Sequence, residues 1–242
     1  MSETLVFVGC YSDSKSEGIQ ILSLDTDNGA FSILNGMSGI ENPSFLVLSP
    51  DGQYLYSVSE VDNFEGTNCG AVASYMLERN GEGLKLLNMQ STMGSGPCHL
   101  SLNHNGSHLF VANYGSGNIS IYPLLEDGSL APCSDFHQHT GNSVNPERQE
   151  GPHAHMIRTT PDDRFALATN LGTDQLLIYR IDYGAHKLIP QSELNFNVEA
   201  GQGPRHFEFH PQRLFLINEL GNTLMSFEYE PKQGRISGPI QT

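Results

Sequence analysis

Three segments of the 242-residue chain place ionisable side chains directly behind a Gly-Pro pair: Gly96-Pro97-Cys98-His99, Gly151-Pro152-His153-Ala154-His155 and Gly203-Pro204-Arg205-His206. An imidazole accepts and returns a proton near neutral pH, and a guanidinium holds developing negative charge. Those residue types suit proton transfer beside a site that binds an anion. A fourth segment, Asn42-Pro43-Ser44-Phe45, opens in the same way. Its proline and the three that follow are spaced 54, 55 and 52 residues apart. A single histidine is more often a hydrogen-bonded structural group than a catalyst, but recurrence behind the same proline favours a shared site. Glu219 closes a strand-like run shortly after the last of these segments and adds a carboxylate.

The elements that must position these groups are strands. No dozen-residue window carries an apolar stripe of helical period without Gly or Pro cutting it. Short β-rich runs recur instead, beginning at Leu5, Ile19, Phe45, Tyr54, His108, Asn118, Arg164, Leu176, Leu214 and Thr223. Turn dipeptides separate them: Asp51-Gly52, Asn80-Gly81, Asn105-Gly106, Asp127-Gly128 and Asp162-Asp163. Each proline leads into a strand, a turn and a second strand. That second strand ends in a polar corner at Ser59-Glu60, Asn113-Tyr114, Asn170-Leu171 or Asn218-Glu219. A third strand with an aromatic (Tyr75, Tyr122, Tyr179, Phe227) and a fourth short strand complete the period. Four strands per repeat of this length define an all-β fold, a β-propeller of four-stranded antiparallel blades. The first strand of each blade faces the propeller axis, so equivalent positions of successive blades gather there. His99, His153, His155, Arg205 and His206 are therefore expected at one mouth of the channel, joined by Glu219 if the corner turns back to the same face. At this repeat length the chain supplies about 4.5 blades. It reads as a single propeller domain over residues 1–242, incomplete at the C-terminus.

Composition narrows the function classes. A formal charge of −15 opposes phosphate backbones and anionic membrane surfaces, so nucleic acid and membrane are not expected partners. The N-terminal apolar run is short and has no basic start, unlike a signal peptide or a span. Four dispersed cysteines show neither a CxxC pair nor the density of a disulfide scaffold, which suits reduced thiols and a cytoplasmic location. His137, His139 and Glu150 lie in a long loop, but no spacing matches a zinc motif, so neither metal nor cofactor is expected. Asn113, Asn170 and Asn218 read as corner residues bonding to local backbone. No Gly-x-Ser-x-Gly elbow is present, which counts against a serine esterase.

The strings Gly-Pro-Cys-His-Leu (96–100), Arg148-Gln149-Glu150-Gly151-Pro152-His153-Ala154-His155, Asn170-Leu171-Gly172-Thr173-Asp174-Gln175, Gly203-Pro204-Arg205-His206 and Asn218-Glu219-Leu220 resemble the seven-bladed lactonase propellers. That family includes propeller-type 6-phosphogluconolactonases and carboxy-cis,cis-muconate cyclases. The resemblance implies seven blades in a complete member and a small-molecule lactone substrate, a sugar lactone of the pentose phosphate pathway being the first expectation. The His, Arg and Glu set proposed for the cyclase branch falls on His155 or His153, Arg205 and Glu219, leaving His99 and His206 to hold substrate. The turn at Pro211-Gln212 is shorter than its counterparts, which makes Glu219 the least secure placement. Lactonase and cyclase are not separated by these residues, and a non-catalytic interaction scaffold is the remaining class.

Overall fold

A computed structural model describes residues 3–78 and 83–242. The expected turn at Asn80-Gly81 lies outside the described residues; the other four turn dipeptides are turns. Among the described residues twenty strands form five antiparallel sheets. The first sheet contains β1 (Glu3–Gly9), β2 (Ile19–Asp25) and β3 (Phe31–Met37). The second runs in order through β4 (Leu46–Leu48), β5 (Tyr54–Ser59), β6 (Ala71–Leu77) and β7 (Leu84–Ser91). In the third the order is β8 (Pro97–Leu102), β9 (His108–Asn113), β10 (Asn118–Pro123) and β11 (Asp135–Gln138). The fourth holds β12 (Ala154–Thr159), β13 (Phe165–Asn170), β14 (Gln175–Asp182) and β15 (Lys187–Pro190), with β16 (Phe196–Asn197) also on β14. The fifth is β17 (Pro204–His210), β18 (Arg213–Asn218), β19 (Thr223–Glu230) and β20 (Arg235–Gln241).

Strand periodicity explains how the sheets stack. Side chains alternate between the two faces of a strand, and the middle strands are buried on both. In β9, Leu109 and Val111 face the second sheet and pack with Tyr56 and Val58. Phe110 and Ala112 face the fourth sheet and pack with Ala166 and Ala168. The same alternation in β13 sends Phe165 and Leu167 toward Phe207, Leu214 and Phe227 of the fifth sheet. Ile19 and Ile21 meet Leu55 and Tyr75 across the first interface. Four successive face-to-face cores thus turn the sheets about a common axis, with β4, β8, β12 and β17 contacting one another in series at its centre. This is the propeller arrangement that the repeat predicts. No helix among the described residues is long and apolar enough to cross a membrane.

The third repeat departs from the proline alignment. Pro97 pairs with Asn113 and Pro204 with Asn218, but in the fourth sheet it is Ala154 that pairs with Asn170. Pro152 stands two residues ahead of β12. The corner draws the intervening residue in: the His153 N–H donates to Asn170 Oδ1 at 2.9 Å, and the Leu171 N–H donates to the His153 carbonyl at 2.9 Å. His153 is therefore the counterpart of Gly96, and His155 that of Cys98.

Candidate active site

Each inner strand carries a β-bulge at its entry. The register of β8 shifts between Pro97 and His99, that of β12 between Ala154 and Met156, and that of β17 between Pro204 and His206. The extra residues are Cys98, His155 and Arg205. A bulge leaves one residue unpaired and re-aims its side chain, and these three side chains all line one polar pocket of about 570 Å3. Ser44, directly before Phe45 whose carbonyl bonds the Val58 N–H, occupies the same place beside β4 and lines the same pocket.

A second set comes from the corners. The residue following the second strand is Glu60 after β5, Tyr114 after β9, Leu171 after β13 and Glu219 after β18. In the three-stranded first sheet β1 takes the place of β5, and the corner there carries Tyr11. Tyr11, Glu60, Tyr114 and Glu219 all line the pocket, and Arg148 reaches it from the loop that precedes β12. Two rows of side chains, one from bulges and one from corners, therefore close on a single mouth.

The tightest convergence is between the fourth and fifth sheets. The Arg205 Nε–H lies 3.1 Å from His155 Nε2 and 3.1 Å from Glu219 Oε2, and His155 Nε2 is 3.6 Å from the same carboxylate oxygen. Arg148 Nη2 donates to Glu219 Oε1 at 2.5 Å and to the Tyr114 hydroxyl at 3.1 Å. Receiving the Arg205 donor at Nε2 leaves His155 with its proton on Nδ1, which is 3.8 Å from Cys98 Sγ. The backbone on both sides is anchored. Thr169 Oγ1 donates to the Arg205 carbonyl at 2.6 Å, and the buried Asp174 carboxylate accepts from the N–H groups of Gly201 and Gly203 at 2.7 and 2.6 Å. Asp174 also accepts from Gln149 Nε2 at 2.8 Å, which ties the Arg148 loop to the entry of β17.

Burial and charge set the protonation states. Burial, with help from the His206 and Arg205 charges, pushes the His155 imidazole down to about 4, so it is neutral at neutral pH. Burial opposes ionisation of Glu219, yet the Arg148 hydrogen bond and the charges of Arg148, His155 and Arg205 outweigh it and hold the carboxyl below its ordinary range. The hydrogen bonds that Arg148 donates to Tyr114 and Glu219 raise its pKa, and burial pushes the Cys98 thiol up, leaving it a neutral neighbour.

The other sequence-derived candidates are placed as follows. His153 stacks on Tyr114 with ring centroids 4.5 Å apart, bonds the Tyr114 carbonyl through Nδ1 at 2.9 Å and faces Glu150 at 3.3 Å. It supports the wall of the pocket without lining it. His206 lines the pocket floor, 5.2 Å between centroids from His155, and its buried Nε2 has no hydrogen-bond partner among the described residues. His99 lies deeper, packed on Phe45 at 4.4 Å and against His206 at 5.4 Å. Burial depresses its pKa strongly, and it lines a larger cavity of about 810 Å3 walled mainly by apolar residues of the inner strands. His137 and His139 do not join the mouth: His137 faces Asp135, and His139 is held between Asn170 and Tyr179. Among the described residues no three His, Cys, Asp or Glu side chains are grouped to share an ion. Asn170 bonds the backbone of its own corner, whereas Asn113 donates to the distant Thr92 carbonyl and to Asn118 Oδ1, and Asn218 donates to the Thr223 hydroxyl.

Arg148, Tyr114, Glu60 and Tyr11 received no role from the sequence. The corner signal for two of them was present, since Glu60 and Tyr114 follow the second strand as Glu219 does. Arg148 carried no positional signal, because its loop belongs to no repeat. The short turn at Pro211-Gln212 does not displace Glu219: it lies at the far end of the β17–β18 hairpin, and Gln212 takes a left-handed φ of 60° there while Pro204 keeps its pairing with Asn218.

Fold and site define a β-propeller whose axial mouth gathers a His-Arg-Glu cluster from successive blades. The chain belongs to the family described as "Lactonase, 7-bladed beta-propeller", whose model matches residues 5–242. It is 34% identical over 243 residues to a 6-phosphogluconolactonase of Bacillus subtilis, covering 97% of this chain and 65% of that protein. A 6-phosphogluconolactonase of Formosa agariphila is 30% identical over 226 residues, covering 92% and 63%. The solved structure of the Pseudomonas aeruginosa periplasmic gluconolactonase superposes with a TM-score of 0.89 at 31% identity, covering 97% of this chain and 66% of that one. The chain thus spans somewhat under two thirds of the length of the curated relatives it matches.

Proposed function

We propose that the protein hydrolyses sugar lactones, with 6-phosphogluconolactone the first candidate substrate and gluconolactone the second. The observation that carries this reading is the contact of Arg205 Nε with both His155 Nε2 and Glu219 Oε2 at 3.1 Å, inside a pocket large enough for a sugar ring. The names of the Bacillus, Formosa and Pseudomonas relatives support the substrate class.

The geometry supports the following chemistry. In the free site the Arg205 N–H caps the His155 lone pair. A lactone carbonyl oxygen arriving at the guanidinium takes over that donor and frees Nε2 to accept a proton from water. The water oxygen bonds to the carbonyl carbon, its proton passes to Nε2, and Arg205 holds the oxyanion of the tetrahedral intermediate. One such donor is worth about 3–4 kcal/mol when aligned with the developing charge. Collapse breaks the ring C–O bond, and the imidazolium returns its proton to the leaving alkoxide, giving the hydroxy acid. Glu219, clamped by Arg148, keeps Arg205 oriented and stabilises the transient imidazolium. His206 Nε2, at the floor, is free to bond a substrate oxygen.

The same groups can run ring closure on a muconate, so a substrate panel separates the readings. Acid release should be fast with 6-phosphogluconolactone or gluconolactone and slow with carboxymuconolactone. Turnover of the muconate pair alone would replace this reading with a cyclase, and turnover of none would leave an interaction propeller. We place the activity in the cytoplasm because the four cysteines are unpaired; since the Pseudomonas relative is described as periplasmic, cell fractionation decides the compartment.

A further inference from the structure

Glu60 is the repeat counterpart of Glu219, yet the two carboxylates sit in opposite surroundings. Glu219 is held by two arginines and a histidine. Glu60 has no cationic partner among the described residues. Both of its contacts are hydroxyl donors, Tyr11 at 2.9 Å and Ser44, and both fall on Oε2. Oε1 accepts no hydrogen bond from any described residue, although Glu60 lines the same pocket as His155 and Arg205. Two sheets intervene between the strand that presents Glu60 and the one that presents Arg205, while their neighbours Phe45 and His206 stand 6.3 Å apart across the axis. The mouth therefore has a cationic wall at Arg148 and Arg205 and an acceptor wall at Glu60, on opposite sides of one pocket.

A carboxylate with an open oxygen facing a ligand site bonds hydroxyl donors well and repels anions. A sugar lactone offers both halves that such a pocket selects: an electrophilic carbonyl for Arg205 and several hydroxyls on the ring carbons away from it. A hydroxyl-free lactone displaces water from the half-buried Glu60 without replacing its hydrogen bonds, which costs affinity. A lactone bearing carboxylates on that side meets like charge.

We propose that Glu60 is a specificity-determining residue of the site, accepting hydrogen bonds from the ring hydroxyls of a sugar lactone and so selecting polyhydroxylated lactones over hydroxyl-free ones or ones that present a carboxylate to it. Tyr11 and Ser44 are its positioning partners, fixing the carboxylate through Oε2 so that Oε1 faces the substrate. This inference rests on the lactonase reading and deepens it.

The test measures kcat/KM for D-glucono-δ-lactone and for δ-valerolactone, which has the same ring without hydroxyls, in the wild-type protein and in Glu60→Ala and Glu60→Gln, each checked for an unaltered thermal melt. The ratio of the two constants should fall about 10- to 100-fold in Glu60→Ala, mainly through KM for the hydroxylated substrate. Glu60→Gln, which keeps an amide oxygen as acceptor, should lie between. A ratio that moves less than about twofold in both variants overturns the proposal. If the wild-type protein turns over neither lactone, the lactonase reading fails separately. Calorimetric binding of D-gluconate then decides the role of Glu60: weaker binding by Glu60→Gln than by wild type supports it, and equal binding or no binding by either protein overturns it.

Discussion

Arg205 serves two partners through one N–H, and this fixes how the site responds to pH. Its donation to Nε2 requires a neutral imidazole, which burial of His155 independently secures. In the proposed reaction, protonating His155 removes the lone pair that would accept the water proton, so activity should be lost on the acid side. Because the folded group titrates at about 4 and not near 6.5, the acid limb of kcat/KM is expected near 4. Glu219 favours the imidazolium, so Glu219→Gln should move that limb to still lower pH while reducing kcat; a limb that stays at 6.5 in the wild type would place the base elsewhere. That a histidine of the third Gly-Pro segment, Arg205 and Glu219 converge was legible in the sequence because each holds a fixed place in a repeat. The choice between His155 and His153 was not, since proline spacing aligns the third repeat two residues early. Only the pairing of Ala154 with Asn170 shows which histidine is the bulge residue.

At the scale of elements, the mouth depends on bulges and corners being packed closely against each other. Gly117, at the corner after β9, has a φ of +66°, and a Cβ there would stand 2.0 Å from the Pro152 carbonyl oxygen, immediately before His153 and β12. Gly117→Ala is expected to destabilise the fold by about 3 kcal/mol, combining left-handed strain with displacement of the Pro152 backbone. Chemical denaturation measures this, and a loss under about 0.5 kcal/mol would mean that the β12 entry adapts freely. The second and third strands of the blades were legible as apolar runs, because burial on both faces selects Leu109, Phe110, Val111 and Ala112 in β9 and Phe165, Ala166, Leu167 and Ala168 in β13. The inner and outer strands were weaker signals. β4 has three residues and β11 four, too few to show alternation, and β17 mixes Arg205, His206 and Glu208 with its apolar residues.

At the scale of the whole molecule, function depends on rotation bringing residues far apart in sequence to one end of an axis. His155 and Arg205 belong to different sheets and meet only because Met156, Leu167, Phe207 and Leu216 hold those sheets face to face. Two groups assembled in this way act as a unit, so their losses should not multiply. The most direct measurement is a double-mutant cycle on lactone hydrolysis with His155→Ala, Arg205→Ala and the combined variant. Each single change should lower kcat/KM by about 10²- to 10³-fold, with the pair no slower than the worse single variant by more than a few fold. Full activity in either single variant, or losses that multiply in the pair, would contradict a catalytic mouth built jointly by neighbouring blades.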